Sequence, residues 1–130
     1  MGKASPGTLV LDAGALIAFE RADPRMRALC REALRKGTRL VVPAGVVGQV
    51  WRDAARQVLL RALLAGSTTE VPALDQVMAE AAGILCVRTR TSDVIDASVV
   101  LTARRERAVV VTSDVGDLRR LDPDLLVERI

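Results

Sequence analysis

The stretch AVVVTSDVGDL, residues 108–118, runs an apolar, β-branched segment straight into two aspartates three positions apart. A short run of valine and threonine bounded by polar residues favours extended backbone, so residues 108–113 read as a buried strand. Residues 115–121 then carry helical spacing, and Asp114 stands at the junction. TLVLD, residues 8–12, repeats the form: a short apolar strand whose last residue, Asp12, precedes a helix-spaced segment at 13–22. TSDVIDASVV, residues 91–100, puts Asp93 and Asp96 at the opening of a further helix, which runs to about Arg107.

The rest of the chain fits the same alternation. Asp23-Pro24 starts a helix that Gly37 stops, with proline in its first turn. RLVVP, residues 39–43, is a second strand, and one long helix is expected over residues 44–64. TEVPAL, residues 69–74, is a short strand weakened by Pro72. Residues 74–89 are helical with Asp75 near their start, and LLVERI, residues 125–130, is a terminal strand. Strands alternating with helices predict an α/β chain of three layers: a central, mostly parallel sheet of about five strands, with helices on both faces. The 130 residues make a single domain, 1–130, without repeat or linker. Ligands of such folds sit beyond the carboxyl ends of the strands.

Composition narrows the chemistry. Half of the residues are hydrophobic, which argues against disorder, and no apolar run approaches the roughly 18 residues of a bilayer span. The first seven residues hold one lysine and no apolar segment long enough for a secretory signal. The expectation is a cytoplasmic protein with no membrane partner. Cys30 and Cys86 fall in different predicted helices without a CxxC motif, and read as buried small hydrophobes rather than a disulfide or zinc site. The chain has no histidine, so Ser-His-Asp and Cys-His catalysis and histidine-ligated metals are excluded. A hard cation held by carboxylates is left. The net charge is +3 and the cations are nearly all arginine, the side chain that matches phosphate oxygens in a bidentate way. Phe19 and Trp51 are the only aromatics, too few to stack bases on a platform. If a nucleic acid binds, its backbone is the handle.

Two readings of the aspartates compete. Asp93/Asp96 and Asp114/Asp117 each have the spacing of a capping box, and Asp12 alone can cap the helix after it. Yet a parallel sheet would bring Asp12, Asp96 and Asp114 to one edge, where carboxylates repel unless a cation sits among them. An all-carboxylate set suits Mg²⁺ or Mn²⁺. The second reading expects these three acids at one end of the sheet, within reach of one cation.

Asp12 in VLDAGALIA, the helix opening DASVVLTA and, 18 residues after Asp96, VVTSD are together similar to the motifs of PIN-domain nucleases, above all VapC-type toxins of bacterial toxin–antitoxin pairs. The resemblance covers residues 8–121 and implies a PIN-like α/β/α fold. It further implies a Mg²⁺- or Mn²⁺-dependent endoribonuclease that hydrolyses RNA phosphodiester bonds, is neutralised by a cognate antitoxin and forms a homodimer. Asp12, Asp96 and Asp114 match the catalytic, metal-binding acids. Gln49 stands where the family usually has a second acid, a glutamate early in the helix after strand two. Asp93, one turn before Asp96, can restore the lost charge as a further ligand. Glu20, two turns beyond Asp12, is the weaker substitute.

Substrate contacts are expected from Gln49, from Arg52 and Arg56, four apart on the predicted long helix, and from the hydroxyl of Ser113 beside that of Thr112. The plain alternatives are a solvated face with Asp53 nearby and hydroxyls that merely end a strand. Gln49 also supports a different class of function, a catalytically weak PIN-like domain that binds RNA or a protein partner. An acidic-pocket phosphoryl protein of receiver or haloacid-dehalogenase type is disfavoured. LDAGA has no second aspartate two residues after the first, and no lysine follows the late strand.

Overall fold

The computed structural model describes residues 7–130; the N-terminal stretch considered for a secretory signal falls, up to residue 6, outside the described residues. In chain order the elements are β1 (Thr8–Leu11), α1 (Ala13–Glu20), α2 (Pro24–Lys36), β2 (Arg39–Val41), α3 (Ala44–Val50), α4 (Val58–Leu64), β3 (Thr69–Glu70), α5 (Gln76–Thr89), α6 (Val94–Glu106), β4 (Val109–Thr112), α7 (Val115–Leu121) and β5 (Val127–Arg129). The strands form one sheet in the order β3-β2-β1-β4-β5. Every pairing is parallel. The chain first steps from β1 outward to β2 and β3, then returns across β1 to β4 and β5. Right-handed crossovers therefore place α1–α4 on one face and α5–α7 on the other. The order reverses between β1 and β4, and a crevice opens at their carboxyl ends.

The sheet sits at the centre of the core because its strands are covered on both sides. Val10, Leu11, Val41, Val110 and Val111 are completely buried, as unbroken valine and leucine runs in parallel strands should be. Register pairs Val10 with Val41 on one side and with Val110 on the other. Capping fixes the helix starts: Asp12, Asp23, Asp75, Asp93 and Asp114 each accept a backbone N–H from the first turn that follows. Gly37 ends α2 in the left-handed conformation at φ 71°, where a Cβ would be strained. No helix among the described residues is long and apolar enough to cross a membrane.

The single long helix expected over residues 44–64 is two helices. α3 ends at Val50, Trp51 turns extended at ψ 127°, and α4 begins only at Val58. Buried Gln57 holds the break. Its Oε1 accepts the backbone N–H groups of Arg52 (2.8 Å) and Asp53 (3.0 Å), while its Nε2 donates to the carbonyl of Val50 (2.9 Å) and to the Glu20 carboxylate. One amide thus supplies the partners that helical backbone would otherwise have found in itself.

Candidate active site

Strand ends and helix starts converge at the crevice between β1 and β4. Asp12 follows β1 directly, and its backbone N–H still bonds Val111 of β4. Its side chain is only 6% exposed and caps α1 by accepting from Ala15 (2.9 Å). On the neighbouring strand, Thr112 is fully buried. Its hydroxyl accepts the N–H of Asp114 (2.8 Å) and lies beside the Asp12 carboxylate, whose charged form it favours. Gly14 lets the strand end come close: a Cβ there would be driven into the Ser113 hydroxyl and lie 3.3 Å from the Ser113 backbone nitrogen.

The capping reading holds. Asp93 accepts from the N–H of Asp96 (2.9 Å) and Asp114 from that of Asp117 (3.3 Å), as helix caps do. Yet the acids also crowd one another. Partial burial, and then the charges of Asp93, Asp12, Asp117 and Asp114, push the Asp96 carboxyl up to about 7. Asp12 is raised above its ordinary value by burial, helped by Asp114 and opposed by its bonds from Thr112, Ala15 and Gly14. Asp117 is raised first by its hydrogen bond with Asp114 and then by that neighbour's charge.

Oxygen-only donors with unrelieved negative charge have the chemistry of a hard divalent cation's site. They are not closed around one: among the described residues no three acid, histidine or cysteine side chains are gathered so as to hold an ion. The expectation of ready-made reach is corrected on this point. Asp12, Asp93 and Asp114 each commit one oxygen to a backbone N–H, which aims that oxygen at a helix start.

A family model described as PIN domain matches residues 9–122. The chain belongs to the PIN domain family. The fold is similar to that of VapBC2 from Rickettsia felis bound to a DNA fragment from their promoter. The TM-score there is 0.68, at 18% identity, over 95% of this chain and 98% of that one. FitAcB from Neisseria gonorrhoeae is similar at TM-score 0.66 and 15% identity, over 92% and 95% of the two chains. FitAB bound to an IR36 DNA fragment gives 0.65 and 15%, over 93% and 94%. No curated protein matches in sequence.

Within this PIN fold the sequence-expected contact residues separate. Gln49 lies on α3, half-buried, four residues after Gly45, whose backbone packs against Ile95 at the start of α6. Residues four apart share a helix face, so Gln49 lies on the side of α3 turned toward α6. Ser113 is exposed over Gly14. Arg52 and Arg56 share no helix face, because both fall in the loop that Gln57 creates. Arg52 spends its guanidinium on the carbonyls of Gly48 and Trp51, and Arg56 pairs with Asp53 at 3.6 Å. Two other arginines do reach the acids. Arg90 and Arg120 line a cavity of about 270 Å³ together with Asp93, Asp96 and Asp117. Only the TSD that follows Arg90 hinted at this in the sequence.

The acid cluster predicts a pH dependence. In the metal-free chain Asp96 has a folded value of about 7 against an ordinary value of 3.8, so the native state binds its proton more tightly than the unfolded state. Its stabilising contribution is complete below the lower value and is lost as pH rises through the higher one. Melting temperature measured with a chelator should therefore fall between about pH 5 and about pH 8, and millimolar Mg²⁺ should raise it more at the upper end. A melting temperature that climbs over that interval without metal would contradict the electrostatic picture of the site.

Proposed function

We propose that this PIN domain is a VapC-like, metal-dependent endoribonuclease of the cytoplasm, neutralised by a cognate antitoxin. The observation that carries the reading is the placement of Asp12, Asp93, Asp96 and Asp114 near the strand-order reversal, where burial first and then the neighbouring carboxylates lift Asp96 to about 7. Asp12, Asp96 and Asp114 are the ligands for Mg²⁺ or Mn²⁺, with Asp93 supplying the charge that Gln49 does not. When bound, a divalent cation held by these carboxylates would supply Lewis-acid polarisation of a phosphoryl oxygen and a lowered pKa for water. Hydrolysis breaks one P–O ester bond, with hydroxide joining phosphorus and a proton going to the leaving oxygen. The chain's own part is positioning: Thr112 holds the Asp114 segment beside Asp12, and Ser113, next to them and exposed, orients water or substrate.

Two further features support the partners. A groove of about 480 Å³ between α2 and α4 is lined by Phe19, Cys30, Leu34, Leu59 and Leu63, with Arg27 and Arg31 along it; an apolar antitoxin segment bearing acids suits it. The likeness in fold to VapBC2 and FitAB points the same way. Val77, Ile84 and Val87 are exposed on α5 and support self-association as a homodimer. The reading is tested by incubating the protein with a defined single-stranded RNA. Cleavage should require Mg²⁺ or Mn²⁺ and cease with chelator. RNA binding without any metal-dependent cleavage would instead establish the weak-catalyst reading that Gln49 favours.

Gln49→Glu changes almost no volume and adds one negative charge on the α3 face turned toward α6. Mg²⁺ affinity should rise by roughly tenfold, since ligand charge tunes such sites. The same change combined with Asp93→Asn distinguishes a missing ligand from one that Asp93 already replaces, because contacting groups are non-additive. Unchanged Mg²⁺ affinity in both backgrounds would show that position 49 does not face the metal.

A further inference from the structure

The cavity beside the acids is lined by charges of both signs. Asp93 and Asp96 open α6 and Asp117 lies on the first turn of α7; Arg90, at the end of α5, and Arg120, on the last turn of α7, line it with them. Arginines near helix ends often serve only the helix dipole. Here Arg119 and Arg88 already occupy last-turn positions on the same helices. Among the described residues Arg90 and Arg120 enter no ion pair, whereas Arg35, Arg39, Arg56 and Arg104 each do. Two guanidiniums thus border a space with three carboxylates in it without closing an ion pair, although the charge of Arg120 is felt by Asp117. A ligand that brings a cation to the acids and anionic oxygens to the arginines resolves both charges at once.

We propose that Arg90 and Arg120 form a phosphate subsite that holds the RNA backbone next to the scissile bond. The cavity, at about 270 Å³, has room for a phosphate and part of a ribose rather than for a stack of bases. Bidentate guanidinium contacts to phosphate position a strand without reading its sequence. The subsite rests on the nuclease reading of the acid cluster, since it assigns the cavity's acids to the metal. Arg90 and Arg120 are positioning residues: they fix where the strand lies, while the acids hold the reacting phosphate's cation.

The test measures binding of a fluorescent oligoribonucleotide against salt, in chelator so that nothing is cut. Arg90→Ala/Arg120→Ala should weaken binding by about tenfold at low salt. It should also flatten the plot of log affinity against log salt by roughly 0.7 for each phosphate of the single strand that the variant no longer neutralises. Arg105→Ala/Arg107→Ala is the control: it removes the same charge at the far end of α6, and Arg107, like Arg90, is a left-handed helix cap (φ 51° and 57°). It should leave the slope in place. Arg90→Gly relieves the positive φ and guards against a folding defect, and Arg90→Lys/Arg120→Lys should recover the slope but not the full affinity. With Mg²⁺ present the alanine pair should raise KM with kcat within about threefold. Equal affinity and slope for wild type and the alanine pair would overturn the subsite, as would equal loss in the control pair. A slope that depends on Arg90 and Arg120 in a protein that never cleaves would sustain the subsite and sink the nuclease reading alone.

Discussion

Asp96→Asn should abolish metal-dependent RNA cleavage, by at least about a hundredfold, and yet make the metal-free protein more stable. The two effects have one cause. Burial disfavours the Asp96 charge most, and the charges of Asp93, Asp12, Asp117 and Asp114 add repulsion to it. Asparagine keeps the size, removes the charge and so relieves the repulsion. The gain is on the order of 1 kcal/mol after solvent screening is allowed for, or roughly 3–6 °C in melting temperature for a chain of this size. Purely structural acids behave in the opposite way, losing stability with the charge. Cleavage assays and chelated melts on the same preparation separate the two. A variant that is inactive and also less stable would mean that Asp96 supports the fold rather than the chemistry.

The second large effect lies at Gln57, away from the acids. Gln57→Ala should destabilise the protein by about 2–4 kcal/mol, because it strands several backbone groups at once. The N–H groups of Arg52 and Asp53 and the carbonyl of Val50 lose their partner, and Glu20 loses the amide it faces. Gln57→Glu should be no better: it keeps an acceptor for the two N–H groups but turns a second carboxylate on Glu20 and the Val50 carbonyl. Urea unfolding of the three proteins measures this directly. Midpoints within the error of wild type would show that the α3–α4 break is held by something other than this amide.

Residue 57 also marks where the sequence was least readable. WRDAARQ, residues 51–57, contains neither glycine nor proline, and glutamine, arginine and alanine are all good helix formers. Local propensity therefore favours a continuous helix, and the break comes from long-range bonds that no spacing rule encodes. Arg90 was hidden for a similar reason: helix caps with positive φ are usually glycine or asparagine, and here an arginine takes the position at φ 57°. By contrast, Asp12 and Asp114 could be placed from the sequence alone, because they stand one and two residues past the ends of apolar strands and a parallel sheet fixes which end that is. Asp93 and Asp96 were ambiguous between cap and ligand; in the fold Asp93 caps α6 by accepting the N–H of Asp96, and the two carboxylates interact within the acid cluster. Local hydrogen bonding and long-range charge are separate properties of one carboxylate, so neither reading displaced the other.

The central claim is that the carboxylates at the β1–β4 crevice hold a divalent cation. Calorimetric titration of Mn²⁺ or Mg²⁺ into the wild type and Asp96→Asn, near neutral pH in two buffers of different ionisation heat, tests it most directly. The wild type should bind saturably with net release of protons, because Asp96 is still partly protonated near pH 7 until metal displaces the proton. Asp96→Asn should bind at least about tenfold more weakly and without that proton release. Equal affinity for the two proteins, or no saturable binding by the wild type up to about 10 mM metal, would contradict it.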